Sequence, residues 1–307
     1  MCQEFLKQID QTTSKSFKIN SGILSVPFGS VCNENDLFEK YNIKYYFGAK
    51  NNIPDDNSHA TTLKILDLVK FANENAEKYK KFSPLLIAFI SGGGSALLTC
   101  PKPGLSLEEK ISISNELVRN GASINELNKV RSCLSSVKNG KLARFIIERG
   151  IESVTLMISD VIGDPIDVIA SGPMVIRSNQ RKQSDDVIKI FEKYNLKFDP
   201  KIYNFIFEDD QLKFYQTKNY FIIGNNTIAL NTAKEVALNL GYFVISLGNE
   251  IQGEANKIGK KWAKIGMQFE FPEKKNYKGI LWLAGGETTV NMKGKSCGKF
   301  NNLFQIY

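Results

Sequence analysis

The sequence predicts an α/β fold, a layered parallel sheet with helices on both faces. Three observations lead there. Near-continuous apolar runs such as "PLLIAFI" (84–90) lack the alternation of a half-solvated strand and read as strands buried on both faces, the habit of parallel sheets. Strand and helix signals alternate throughout, as layered α/β folds require. Polar clusters recur just beyond the apolar runs, where ligands bind in open α/β sheets.

Taken in order, "SGILSVPFG" (Ser21 to Gly29) reads as a buried strand ended by Pro27 and Gly29, and "IKYYFGA" (43–49) as a second. Pro54 and the polar residues after it can cap a helix, whose face carries Leu63, Ile65, Leu66, Leu68, Val69 and Phe71. The third run, "PLLIAFI", ends in Ser91-Gly92-Gly93-Gly94-Ser95 before a helix-compatible segment. Ser106 with Glu109 has capping-box spacing and opens a helix over 105–122, closed near Gly121. "INELNKVRSCLSSVKNGKLARFIIERG" continues in helical periodicity, broken at Asn139-Gly140. A buried strand over 153–159 leads into Asp160, Gly163, Asp164 and Pro165. From Asn219 the chain predicts a strand, a Gly-Asn-Asn turn, a helix from about Thr227 to Leu240 and a strand over 242–247. "GILWLAGGETTVNM" (279–292) supplies a strand, a Gly-Gly turn and an alternating strand, and "FPEKKNYKG" (271–279) is the best boundary candidate.

A chain of 307 residues suits one large domain or two ordinary ones, and 42% hydrophobic with 23% charged residues belongs to the soluble globular class. The formal charge of +8 favours anionic ligands, but the lysines are scattered without a basic tract, so nucleic-acid binding is the lesser reading. Five widely spaced cysteines and a single histidine, His59, exclude a Cys/His zinc site and a disulfide framework and suit a reducing compartment. No run approaches the ~20 apolar residues of a membrane helix. The first residues lack the apolar core of a secretory signal, so a cytosolic protein is expected.

Four polar clusters fall at predicted strand ends: Ser91 to Ser95, Asp160 with Asp164, Gly224 to Asn226, and Gly285 to Glu287. The three glycines offer backbone N–H groups and a helix start to an anion, or else only a tight turn that lets strand and helix pack closely. The loop matches neither GxGxxG nor GxxxxGK[ST]. Asp160 and Asp164, around Gly163, can share a Mg²⁺ ion or serve as caps and turn residues. Asn128, Lys129, Arg131 and Lys138 form a cationic stretch; helical spacing places Arg131 and Lys138 on similar faces, and the bland alternative is a solvated helix surface. His59 reads as a helix-start residue and Asp167 as a solvent or capping residue, so serine-histidine catalysis has no support.

The runs "FISGGGSALL", "GASINELNKVRSCLSSVKNGKLA", "LMISDVIGDPIDVIASGP", "FIIGNNTIALNTAKEVALNLGY" and "LAGGETTV" together closely resemble the glycerate kinases that make 2-phosphoglycerate, in their animal form. The resemblance covers about 21 to 302. It implies a Rossmann-like α/β domain over residues 1–275 and the start of a smaller C-terminal α/β domain over 276–307, with the site in the cleft between them. The implied reaction transfers the ATP γ-phosphoryl group to the 2-hydroxyl of D-glycerate with Mg²⁺. The family's glycine-rich loop falls on Ser91, Gly92, Gly93, Gly94 and Ser95, and its Asn-x-x-Arg motif on Asn128 and Arg131, with Lys138 added as a third catalytic candidate. Its Ser-Asp-x-x-Gly-Asp-Pro motif falls on Ser159 to Pro165, giving Asp160 and Asp164 to the metal. Gly224, Asn225, Gly285, Gly286 and Glu287 complete the implied nucleotide site. A small-molecule substrate is implied, with neither nucleic acid nor membrane as partner, in the cytosol or in a mitochondrial form.

The resemblance also marks departures. The family carries a strand and a Gly-Lys-Ala motif upstream, whereas "MCQEFLKQID" resembles the helix after it, so the first strand is expected to be missing and no residue takes that lysine's role. Where the family reads Gly-Gly-Arg-Asn-Gln-Glu, this chain has Gly298-Lys299-Phe300-Asn301-Asn302-Leu303, and Lys299 cannot reproduce arginine's planar fork. The small domain is expected to be truncated after Tyr307. An inactive or fragmentary relative that binds nucleotide or a hydroxy acid without turnover is the alternative, and a basic interaction module a distant third.

Overall fold

The computed structural model describes residues 1–11, 18–30, 36–79, 83–176, 183–208, 215, 219–270 and 277–289. It forms two compact units, residues 1–160 with 164–224, and residues 161–163 with 225–307. The boundary expected at 271–279 lies largely outside the described residues.

In the first unit α1 (Cys2–Gln11) leads to β1 (Gly22–Pro27), α2 (Asp36–Lys40) and β2 (Ile43–Gly48). β1 and β2 pair in parallel from Gly22 opposite Ile43 to Pro27 opposite Gly48. α3 (Asp56–Tyr79) starts where the polar cluster predicts: Asp55 Oδ1 accepts from the Ser58 amide at 2.8 Å while Ser58 Oγ accepts from the Asp55 amide at 2.9 Å. β3 (Leu85–Ile90) then leads into α4 (Gly94–Leu97) and α5 (Leu107–Arg119). α5 carries the predicted capping box, with Ser106 and Glu109 bonded reciprocally.

α6 (Ile124–Cys133) opens on a second box, Ser123 with Glu126, and α7 (Lys141–Ile147) leads to β4 (Glu152–Ile158). The periodicity read as one helix broken at Asn139-Gly140 in fact breaks earlier. From Leu134 to Gly140 the chain leaves the helix, and Ser135 forms an antiparallel bridge with Pro101. α8 (Gln183–Lys193), α9 (Pro200–Glu208) and β5 (Tyr220–Gly224) complete the unit.

The central sheet has the order β3-β4-β5, parallel throughout, with Leu85 opposite Glu152 and Thr155 opposite Tyr220. The parallel α/β class with helices on both sides is therefore what the chain adopts. Its strands are less buried than their composition predicts. Among the described residues only β4 has a neighbour on each side, and in this sheet only β4 buries side chains fully, Thr155 and Met157; on β5, Phe221 and Ile223 stay exposed.

The largest core is helical. Ile113 and Leu117 of α5, Leu127 and Val130 of α6, Val187, Ile190 and Phe191 of α8, and Ile202 and Ile206 of α9 pack as one cluster with Leu134. Each such side chain contributes about 1.5–3 kcal/mol by leaving water. A second cluster lies against the sheet, with Val69, Val137, Leu142, Ile146 and Met174 packed on Leu86, Ala88 and Ile90 of β3.

The second unit contains α10 (Asn226–Asn239), β6 (Phe243–Ser246), β7 (Ile251–Glu254), α11 (Ala255–Met267), β8 (Ile280–Leu283) and β9 (Gly286–Thr289). β6 pairs with β8 and β7 with β9, both in parallel.

Candidate functional site

The glycine run sits at the end of β3. Gly94 N donates to Ser91 O at 3.2 Å, closing a tight turn, and Gly93 has the left-handed φ of 78° that a side chain would strain. The close approach that three glycines suggest is real, and its objects are protein groups. A Cβ on Gly92 would lie 2.0 Å from Asp160 Oδ2, and one on Gly94 would lie 2.8 Å from the Ala170 Cβ. α4 is a single turn of four residues, so the helix dipole expected behind the loop is short.

Lys138 ties this loop to a set of buried cations. Its Nζ donates to Ser95 O at 2.6 Å and to Ser95 Oγ at 2.9 Å, and Ser95 Oγ also lies 2.8 Å from Ser171 Oγ. Burial holds the Lys138 ammonium well below the usual lysine range, and the charges of Lys110 and Arg131 push it further. The spacing predicts one helical face for Arg131 and Lys138, but the two do not share a helix, because α6 ends at Cys133. Lys138 lies in the irregular 134–140 segment, shaped by two left-handed pairs of residues that meet: Asn139 N donates to Ser171 O at 2.9 Å, and Gly140 N to Gly172 O at 2.7 Å. The two cations still interact, but through the tertiary fold.

Arg131, in the last turn of α6, is half-buried, and its Nε donates to Ser114 Oγ at 3.4 Å. Burial lowers the pKa of its guanidinium. Asn128 lies one turn earlier on the same helix, half-buried. Lys129 is turned to the surface, where it pairs with Asp186 of α8 at 2.7 Å.

Three contributors escaped sequence reasoning. Lys110 and Ser114 of α5 are buried, and the Ser114 hydroxyl that accepts from Arg131 donates to Lys110 O at 2.9 Å. Lys141 is buried at the start of α7 and donates to Ser132 O at 2.7 Å and Ser135 O at 2.8 Å. A signal was available for the first two. Leu107, Lys110, Ser114 and Leu117 follow the i, i+3, i+7, i+10 spacing of one helical stripe, so two polar residues interrupt an apolar face.

Asp160 is exposed immediately after β4, against Gly92. Gly163 and Asp164 both adopt left-handed φ, 77° and 51°, so the motif is a tight turn that carries two carboxylates. Among the described residues no group of three or more His, Cys, Asp or Glu side chains gathers as a metal site. Mg²⁺ is commonly held by one or two carboxylates with substrate phosphates and water, so Asp160 and Asp164 fit that donor set and not an all-protein cage.

Gly224 ends β5, where its carbonyl accepts from Ser159 N at 2.9 Å. In the second unit Asn225 caps α10, its Oδ1 accepting from Ile228 N at 2.8 Å. Gly285 lies in the turn before β9; a Cβ on it would stand 3.0 Å from Leu230 Cδ1. Gly286 opens β9 with φ 137°, and a Cβ there would stand 2.3 Å from Ile251 O, so strand pairing alone accounts for this glycine. Glu287 is exposed on β9. Lys299, Phe300 and Leu303 lie outside the described residues.

Residues 1–206 match the family model described as "Domain of unknown function (DUF4147)". The chain is 33% identical over 284 residues to the D-glycerate 2-kinase of Thermotoga maritima, spanning 92% of this chain and 63% of that protein. It is 31% identical over 335 residues to the glycerate kinase of Danio rerio, spanning 91% and 64%. A crystal structure of glycerate kinase from Thermotoga maritima superposes with a TM-score of 0.71 at 30% identity, covering 91% of this chain and 62% of that one. The chain thus spans somewhat less than two thirds of the length of these relatives.

Proposed function

The chain belongs to the glycerate kinase family that carries the DUF4147 domain, and from that premise we propose that it phosphorylates the 2-hydroxyl of D-glycerate at the expense of ATP. The observation that carries this reading is the convergence at the ends of β3 and β4. Lys138 is bonded to Ser95 of the glycine loop, Arg131 and Lys110 lie in electrostatic range of Lys138, and Asp160 rests on Gly92.

Phosphoryl transfer asks little covalent help from a protein and much positioning and charge neutralisation. Arg131 and Lys138 supply cations for the oxygens of the transferring group or the substrate carboxylate, with Asn128 as a hydrogen-bonding neighbour. Ser91 and the amides of Gly92, Gly93 and Ser95 supply donors at the strand end. Asp160 and Asp164 would hold Mg²⁺, which would neutralise phosphate charge. Gly224, Asn225, Gly285, Gly286 and Glu287 belong to the nucleotide side of the reading. Among the described residues no helix is long and apolar enough to cross a membrane, and a small-molecule substrate in the cytosol or mitochondria fits the reaction.

The deciding experiment follows ATP consumption by the 307-residue chain with D-glycerate and Mg²⁺, coupled to detection of 2-phosphoglycerate, beside a Ser91→Ala, Arg131→Ala double variant. Glycerate-dependent turnover that the double variant loses is the expected result. A folded chain that binds ATP or glycerate without turnover would instead select the inactive relative, the reading favoured by Phe300 and Leu303 in place of the family's arginine and glutamate.

A further inference from the structure

The buried cations differ in how their charges are satisfied. Lys141 rests on two carbonyl oxygens and Lys138 on a carbonyl and a hydroxyl, whereas the Lys110 ammonium, buried on α5, has no hydrogen-bond partner among the described residues. The titratable groups whose charges reach it are Lys141 from α7, Arg131 from α6, Lys138 from the 134–140 segment and the Cys100 thiol from the stretch after α4. None of these is a carboxylate. An isolated ammonium among other cations in a dry interior is the costliest arrangement a protein can keep, unless a ligand supplies the missing negative charge.

We propose that Lys110 is a binding residue for an oxyanion that enters between Lys110, Arg131 and Lys138, either the substrate carboxylate or the phosphoryl group it receives. Ser114, one turn after Lys110 on α5 and bonded back to its main-chain carbonyl, accepts from Arg131 and so ties that guanidinium to the helix that carries Lys110. The identity of the oxyanion rests on the kinase reading; its binding does not. Burial, the neighbouring Lys141 and then Arg131 bring the Lys110 pKa down to about 7, against a weaker opposing pull from the Cys100 thiol. An arriving anion restores the charged form, so binding above neutral pH takes up a proton.

The test is calorimetric titration of the 307-residue chain at pH 8 with inorganic phosphate and, separately, with D-glycerate, each in two buffers of different ionisation enthalpy. The wild type is expected to bind at least one of them with uptake of a fraction of a proton, and whichever anion binds identifies the source. Lys110→Met should weaken that binding by about ten- to a hundredfold, the worth of one charge-assisted hydrogen bond, and abolish the uptake. Lys110→Arg should restore affinity without uptake, because guanidinium stays charged. Lys201→Met, which removes a surface cation paired with Glu109, should change neither quantity. Unchanged affinity and proton count in Lys110→Met, or failure of both anions to bind the wild type, overturns the proposal. Loss of turnover with Lys110-dependent anion binding intact would count against the kinase reading alone.

Discussion

Helices α5 and α6 bury two kinds of surface. One side presents Ile113, Leu117, Leu127 and Val130 to α8 and α9, a dry contact completed by Phe191. Interrupting and flanking that apolar surface, Lys110, Ser114 and Arg131 are the polar part of what the same helices bury, near Lys138, which is bonded to the glycine loop. Both are withdrawn from water, but only the first is stabilising on its own terms, since apolar burial needs no partner and cationic burial does. The contrast teaches where this unit keeps its stability and where it spends it.

Breaking the dry side should have the largest effect. Phe191 is almost fully buried and meets Phe198 and Tyr203 edge to face with centroids 4.7 and 5.9 Å away, so Phe191→Ala is expected to cost about 3–5 kcal/mol in urea denaturation. The cationic side should behave in the opposite sense. Lys138→Met is expected to leave stability unchanged or raise it, while lowering glycerate-dependent turnover about 10²–10³-fold, the range seen when one electrostatic stabiliser is removed. A stability loss matching that of Phe191→Ala would erase the distinction between the two sides.

Lys110 sharpens it through pH. Its pKa falls from the ordinary 10.5 to about 7 in the folded chain, so below pH 7 both states are protonated and the cost of the buried charge is fully present. Between pH 7 and 10.5 the unfolded chain holds more protons, so stability rises with pH, and above 10.5 this cost is gone. Lys110→Met should therefore exceed the wild type by about 1–4 kcal/mol near pH 6.5 and converge on it toward pH 10.5, read from denaturant midpoints. The smallest effect concerns the frame both sides share. Ser123→Ala removes the side-chain cap of α6 and should cost about 1 kcal/mol.

What the residues disclosed follows the range of the interactions involved. Capping at Ser106 and at the start of α3, and the strands over 22–27, 43–48 and 85–90, depend on neighbours in sequence and could be read directly. Lys138 could not be placed, because its segment is shaped by pairing with Ser171 and Gly172, which no local pattern announces. The glycines at 92 and 94 declared a close approach without naming Asp160 and Ala170 as what they approach. Arg131 was singled out from its type and setting, whereas Lys110 was passed over although its place in an apolar stripe was visible.

The order of the central sheet has a consequence for the newborn chain. Among the described residues Leu85 has no strand partner until Glu152 has been synthesised, and β4, once paired with β3, gains its second neighbour only with Tyr220. Helices α5 and α6, each opened by a capping box local in sequence, can gather in the interval, but the apolar run of β3 must wait on the ribosome's progress. The glycine turn, which packs against Asp160 and Ala170, takes its final shape no earlier than the segment after β4 that carries them. Synthesis thus builds the scaffold first and the chemistry last, and a pause before Tyr220 would hold the chain in an adhesive, unfinished state.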